Sequence, residues 1–201
     1  MAELDESQRI ALKMALGLPL CLIKGARGSG KTRVVLQMAR CFALRNRRAS
    51  CAASTPKNSP EGAAGPQLQQ RSVVLLCVPS GADPASWARR FQKEAEGGGG
   101  GVAPVRICWY SDGRWVAGRS VEGSGHGGSG SAEVLCCRAV DAHEAVLWFG
   151  AWCEGSSGGR VAVSQVVVDD CFLMWEMECL VPILMLDGVA PGDLSLVWLV
   201  A

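Results

Sequence analysis

The sequence predicts an α/β domain with a mostly parallel sheet flanked by helices. Three observations carry that prediction. A short apolar stretch runs into the glycine-rich Gly25–Thr32 segment, and helical periodicity follows it. Val73–Val78 is an uninterrupted apolar run, the pattern of a strand buried on both faces. Strand-like and helix-like segments then alternate along the chain, the order that builds parallel sheets.

Taken in order, residues 5–16 predict a helix, with Asp5 or Ser7 as its N-cap and Ile10, Ala11 and Met14 on one face. Leu18–Lys24 predicts a short buried strand. After the loop, Val34, Val35, Met38, Cys41 and Phe42 recur at helical spacing, and that helix is expected to end near Arg45. Asn46–Arg71 is polar and broken by Pro56, Pro60, Gly62, Gly65 and Pro66, which predicts a long surface insertion. The Val73–Val78 strand stops at Pro79-Ser80-Gly81, and a helix is expected over Pro84–Glu96.

Gly97–Gly101 predicts a flexible linker, and Val105–Tyr110 a strand. Val134–Cys137 predicts a further strand, Ala139–Trp152 a helix, and Val161–Asp169 a strand ending in acid. Leu173–Leu186 is apolar, with helical character up to Pro182, and Leu194–Val200 reads as a last strand. The expectation is one domain over residues 1–201, with disordered insertions at 46–71, 97–104, 118–131 and 154–160.

A chain of 201 residues with 49% hydrophobic content can bury a substantial core. A formal net charge of +1 gives no general support for a nucleic-acid or membrane partner. The first residues lack a basic stretch followed by an apolar one, so no signal peptide is expected. The apolar runs Leu180–Leu186 and Leu194–Ala201 fall short of the about 20 residues a membrane helix needs. Ten cysteines occur, many within apolar runs, beside only two histidines and no CxxC pair. Buried reduced thiols are therefore expected, in an intracellular protein of the cytoplasm or nucleus.

Gly25-Ala26-Arg27-Gly28-Ser29-Gly30-Lys31-Thr32 matches GxxxxGK[ST], the phosphate-binding P-loop or Walker A pattern, at every fixed position. Glycines allow the backbone to curl so that successive N–H groups face inward on phosphate oxygens. Gly25, Gly28, Ser29 and Gly30 are the expected cradle, with the following helix adding its positive end. Lys31 is expected on the β- and γ-phosphates and the Thr32 hydroxyl on Mg²⁺. Val166-Val167-Val168-Asp169-Asp170 supplies the acid such a site needs, since strand ends and P-loop share one sheet edge. Asp169 is the candidate magnesium ligand and Asp170 the candidate base for an attacking water. In isolation, a glycine-rich turn containing Lys-Thr or a strand end solvated by carboxylates would look the same; together they favour an ATP·Mg²⁺ site.

With those residues in hand, the chain resembles the first RecA-like domain of superfamily 1 helicases, the group that includes the nonsense-mediated-decay helicase. Leu4–Leu12 resembles the family's Q motif, at the usual distance before Pro19–Gly25. The resemblance implies that Gln8 reads the adenine edge. Leu75–Ser80 is similar to motif Ia, which in the family contacts single-stranded nucleic acid, although Gly81 replaces the usual Asn. Ala132–Cys137 resembles a later strand that ends in a nucleic-acid-touching threonine, where Arg138 stands here. Asp169–Pro182 is similar to motif II and its continuation, with Glu176, Glu178 and Pro182 in step.

The departures bear on competence. Asp170 replaces the family's Glu, Leu173 its Gln, and Arg27 a position that is often Pro. The chain reaches Ala201 before the Gly-Asp of motif III, so a second RecA-like domain, with its arginine fingers, is expected to be absent. The implied function is the ATP-binding domain of a nucleic-acid-dependent ATPase acting on RNA or DNA. Hydrolysis by the lone domain is expected to be weak or absent. A non-catalytic or decayed nucleotide-binding module is the alternative, and an unrelated P-loop kinase a more distant one.

Overall fold

A computed structural model describes residues 4–18, 20–26, 28–53, 71–96, 105–117, 133–157, 161–184 and 196–200. In chain order these form α1 (Glu6–Gly17), β1 (Leu20–Ile23), α2 (Lys31–Ala53), β2 (Arg71–Val78), α3 (Pro84–Glu96), β3 (Ile107–Ser111) and β4 (Arg114–Ala117). Then follow β5 (Val134–Arg138), a 3-10 turn at Ala139–Asp141, α4 (Ala142–Ser157), β6 (Val161–Val168), a 3-10 turn at Cys171–Leu173, α5 (Glu176–Leu184) and β7 (Leu196–Val200). The strands make one seven-stranded sheet in the order β1-β7-β6-β2-β5-β3-β4. Every neighbouring pair is parallel except β3–β4. The α/β class with a mostly parallel sheet is as the sequence predicts.

Period-two alternation in β2 divides the core. Val74, Leu76 and Val78 face a cluster with Val35, Met38 and Phe42 of α2 and Trp87 and Phe91 of α3. Val73, Leu75 and Cys77 face the other cluster, with Ala142, Ala145 and Phe149 of α4 and with Met174. Burying β2 on both sides is what its unbroken apolar run required.

Several boundaries differ from the sequence expectation. The second helix continues past Arg45 to Ala53, so residues 46–53 are not loop. Its polar residues are tertiary anchors: Asn46 is buried and its Nδ2 donates to Ser164 Oγ at 2.8 Å and Gln165 Oε1 at 2.9 Å. Ser164 sits at a register shift between β2 and β6, so α2 grips a bulge. Arg47 pairs with the buried Glu133, whose Oε2 also accepts from the Arg106 amide at 3.1 Å.

Residues 154–157 are likewise helical, because α4 extends to Ser157, while 139–141 form a 3-10 turn ahead of it. In α1 the capping box of Asp5 and Gln8 fixes the start, but Ile10 and Met14 are half exposed. The packed residues are Ala11, Leu12, Ala15 and Leu16, one step round the helix from the expected face. Within the expected Leu173–Leu186 segment, Leu173 ends a 3-10 turn and α5 follows over Glu176–Leu184 with Pro182 inside the helix, while 185–186 lie outside the described residues.

The sequence reading overlooked β4. Asp112 and Gly113 have φ of 52° and 75°, the left-handed pair that closes a two-residue hairpin. The insertion readings over 54–70, 97–104, 118–131 and 158–160 lie outside the described residues. Cys21, Cys77, Cys108, Cys136 and Cys137 are buried.

Candidate nucleotide site

β1 and β6 run parallel with only β7 between them, so the loop after β1 and the acids after β6 open on the same edge of the sheet. Gly28 and Gly30 both hold φ of +82°, a conformation that L side chains rarely adopt. A Cβ on Gly30 would lie 2.4 Å from Gln8 Nε2, and one on Gly25 would lie 2.7 Å from Ser29 Oγ. Backbone curl thus requires glycine at 28 and 30, whereas at 25 and 30 a side chain would first displace the ends of Ser29 and Gln8. Ser29 N–H closes the turn onto Ala26 O at 3.1 Å. Arg33 and Val34 donate to Gly30 O, so α2 begins directly from the loop. Lys31 and Thr32 are its first residues, where helix amides lack partners within the helix. Arg27 lies outside the described residues.

Lys31 Nζ donates to the carbonyls of Gly25 at 2.7 Å and Ala26 at 3.2 Å, folding the ammonium back over its own loop. Gln8 is brought against the same loop from α1. Its Nε2 donates to Ser29 O at 3.0 Å and its Oε1 accepts from Asp5 N at 3.2 Å. One Nε2 hydrogen and one Oε1 lone pair are left by those two bonds.

Asp169 is fully buried at the end of β6, and its amide donates to Cys77 O at 2.9 Å. Neither carboxylate oxygen has a hydrogen-bond partner. Burial pushes its pKa up to about 7, helped by the neighbouring Asp170 charge and opposed first by the Asp170 backbone N–H and then by the charges of Lys31 and Arg90. A dry, partnerless carboxylate beside a lysine is chemistry suited to a cation. Among the described residues no cluster of three or more His, Cys, Asp or Glu could hold a metal by itself. Thr32 and Asp169 could hold an ion only if phosphates and water completed its shell. No hydrogen bond joins either Thr32 or Lys31 to Asp169.

Asp170 has φ 48° and ψ 43°, left-handed for a residue with a Cβ. It opens the 3-10 turn, its carbonyl accepting from Leu173 N at 2.9 Å. Such strain persists only where the surroundings over-determine it, and it clusters at functional corners. Of the positions that depart from the resemblance, Leu173 is exposed, Gly81 lies in the turn after β2, and Arg138 is engaged by Asp141 at 2.5 Å.

Two features escaped the sequence. Arg90 of α3 adds positive potential at Asp169, and helical spacing alone gave no reason to single it out. Ser80 Oγ donates to Glu178 Oε1 at 2.6 Å, joining residues that flank motifs far apart in the chain.

Residues 3–122 match the family described as AAA domain. The chain belongs to that family. It is a helicase-like P-loop domain of the RecA-like α/β kind, and the match takes in Gln8, the loop, β2 and α3. No match to a curated protein was found. Asp169 and Asp170 lie beyond the matched span, so within this AAA domain their assignment rests on geometry.

Proposed function

We propose that this AAA domain binds ATP with Mg²⁺ and is the nucleotide-binding half of a superfamily 1 helicase of the nonsense-mediated-decay type. The observation that carries the reading is the buried, unpartnered Asp169 carboxylate under the charge of Lys31, on the edge where the glycine loop opens. Gly25, Gly28, Ser29 and Gly30 cradle the phosphates through backbone N–H groups. Lys31 leaves its loop carbonyls to meet the β- and γ-phosphates, Thr32 and Asp169 hold the metal, and Gln8 turns its free amide valence to the adenine. Bound magnesium supplies charge neutralisation on the phosphate oxygens. Asp170 orients the attacking water.

Single-stranded RNA or DNA is the proposed partner, received at the turn after β2. Arginine fingers from a second RecA-like domain are worth about 10³–10⁵ in turnover. Residues 1–201 assayed by themselves are expected to bind ATP and to hydrolyse it slowly. Buried reduced thiols are in keeping with an intracellular location.

ATP affinity measured with Mg²⁺ and with chelator tests the assignment. Wild type should bind more tightly with Mg²⁺, and Asp169→Asn should lose that increment while keeping its metal-free affinity. Equal magnesium dependence in the two proteins would remove Asp169 from the metal site. Robust duplex unwinding by this chain alone would overturn the requirement for a second domain.

A further inference from the structure

The acidic corner is held from outside by contacts that no motif describes. Cys179 Sγ donates to Cys171 O at 3.5 Å, tying α5 to the 3-10 turn that follows Asp170. The Cys179 amide donates to Trp175 O at 3.2 Å, and the Met174 amide to Cys171 O at 3.0 Å. These bonds make residues 170–179 one folded unit. A side-chain bond joins that unit to the turn after β2, from Ser80 Oγ to Glu178 Oε1 at 2.6 Å. The other Glu178 oxygen is buried without a partner. A carboxylate with one dry oxygen depends heavily on its remaining donor, and here that donor is one hydroxyl proton.

The strand that leads into that turn meets the same corner through the backbone, since Asp169 N–H donates to Cys77 O near the end of β2. The two attachments therefore straddle Asp169 and Asp170. One fixes where the acid segment leaves the sheet, and the other fixes where its helix settles. Asp170, in its left-handed conformation, lies between them in the chain.

We propose that Ser80 and Glu178 are a positioning pair that clamps α5 to the turn after β2 and thereby holds Asp169 and Asp170 aimed at the P-loop. Neither residue touches the nucleotide; both act through the corner. This rests on the reading of the site as one for ATP and Mg²⁺.

The test compares wild type, Ser80→Ala, Glu178→Ala and Glu178→Gln, all as the full chain. ATP affinity is measured with Mg²⁺ and with chelator. Loss of an outer-shell partner is expected to cut the magnesium increment about tenfold in Ser80→Ala and Glu178→Ala. Metal-free affinity should stay within about twofold, a separation that general destabilisation would not produce. Glu178→Gln should keep most of the increment, because its amide oxygen still accepts from Ser80. An unchanged increment in Ser80→Ala overturns the proposal.

If wild type binds no nucleotide, the reading of the site fails and amide exchange decides the pair. Faster exchange at Leu173, Met174 and Cys179 in Ser80→Ala, with Glu178→Gln matching wild type, supports it. Unchanged exchange overturns it.

Discussion

Asp169 carries an electrostatic cost that sets a pH dependence. Its pKa is raised from 3.8 to about 7, so the folded chain holds a proton that the unfolded chain has released between those values. Stability therefore falls as pH rises through that window, and the penalty is fully present above it. Asp169→Asn removes the charge and is expected to raise Tm at pH 8 relative to wild type, with a smaller gain at pH 5. Thermal unfolding at the two pH values checks this, and a lower Tm at pH 8 would refute it. Gly30 is the second residue with a definite expectation. Its φ of +82° strains any L side chain, and a methyl group there would push the Gln8 amide off the loop. Gly30→Ala should lose about 1–2 kcal/mol in denaturant titrations and weaken ATP binding, through backbone strain and loss of the Gln8 contact.

At the scale of elements, α2 is both the floor of the phosphate loop and the main strut of one core face. Its second half is secured by polar contacts: Asn46 to the β6 bulge and Arg47 to Glu133, which also receives the Arg106 amide. Glu133→Ala removes the carboxylate that receives both the Arg47 guanidinium and the Arg106 amide, and is expected to cost about 2 kcal/mol of stability, read from the urea midpoint. Glu133→Gln still accepts from both donors and should cost clearly less. Equal losses would mean that the site acts by packing alone. These contacts explain why the helix was legible only to Arg45. Hydrophobic spacing reports the face that meets the sheet, whereas Asn46 and Arg47 look polar until their partners, far along the chain, are in place. The same limit hid Ser80–Glu178, a bond between single residues on separate elements. By contrast, the loop, the β2 run and the Asp-Asp strand end are local patterns, and each was readable in place. Asp112-Gly113 was readable too, as a hairpin turn, but the surrounding strand pattern was short and passed over.

For the whole molecule, sheet order converts those local patterns into a site. Placing β7 between β1 and β6 sets the glycine loop and the acids side by side at one edge, and residues 3–122 carry the family match. The two core clusters hold that edge rigid from both faces, while the apolar side chains of Leu173 and Trp175 stand exposed near it. The central claim is that this edge binds ATP through Lys31. The most direct test is an equilibrium titration of a fluorescent ATP analogue with Mg²⁺ against wild type and Lys31→Ala. The account predicts saturable binding at or below about 1 mM in wild type and at least about tenfold weaker binding in Lys31→Ala. No binding at millimolar ATP, or equal affinity in the two proteins, would contradict it.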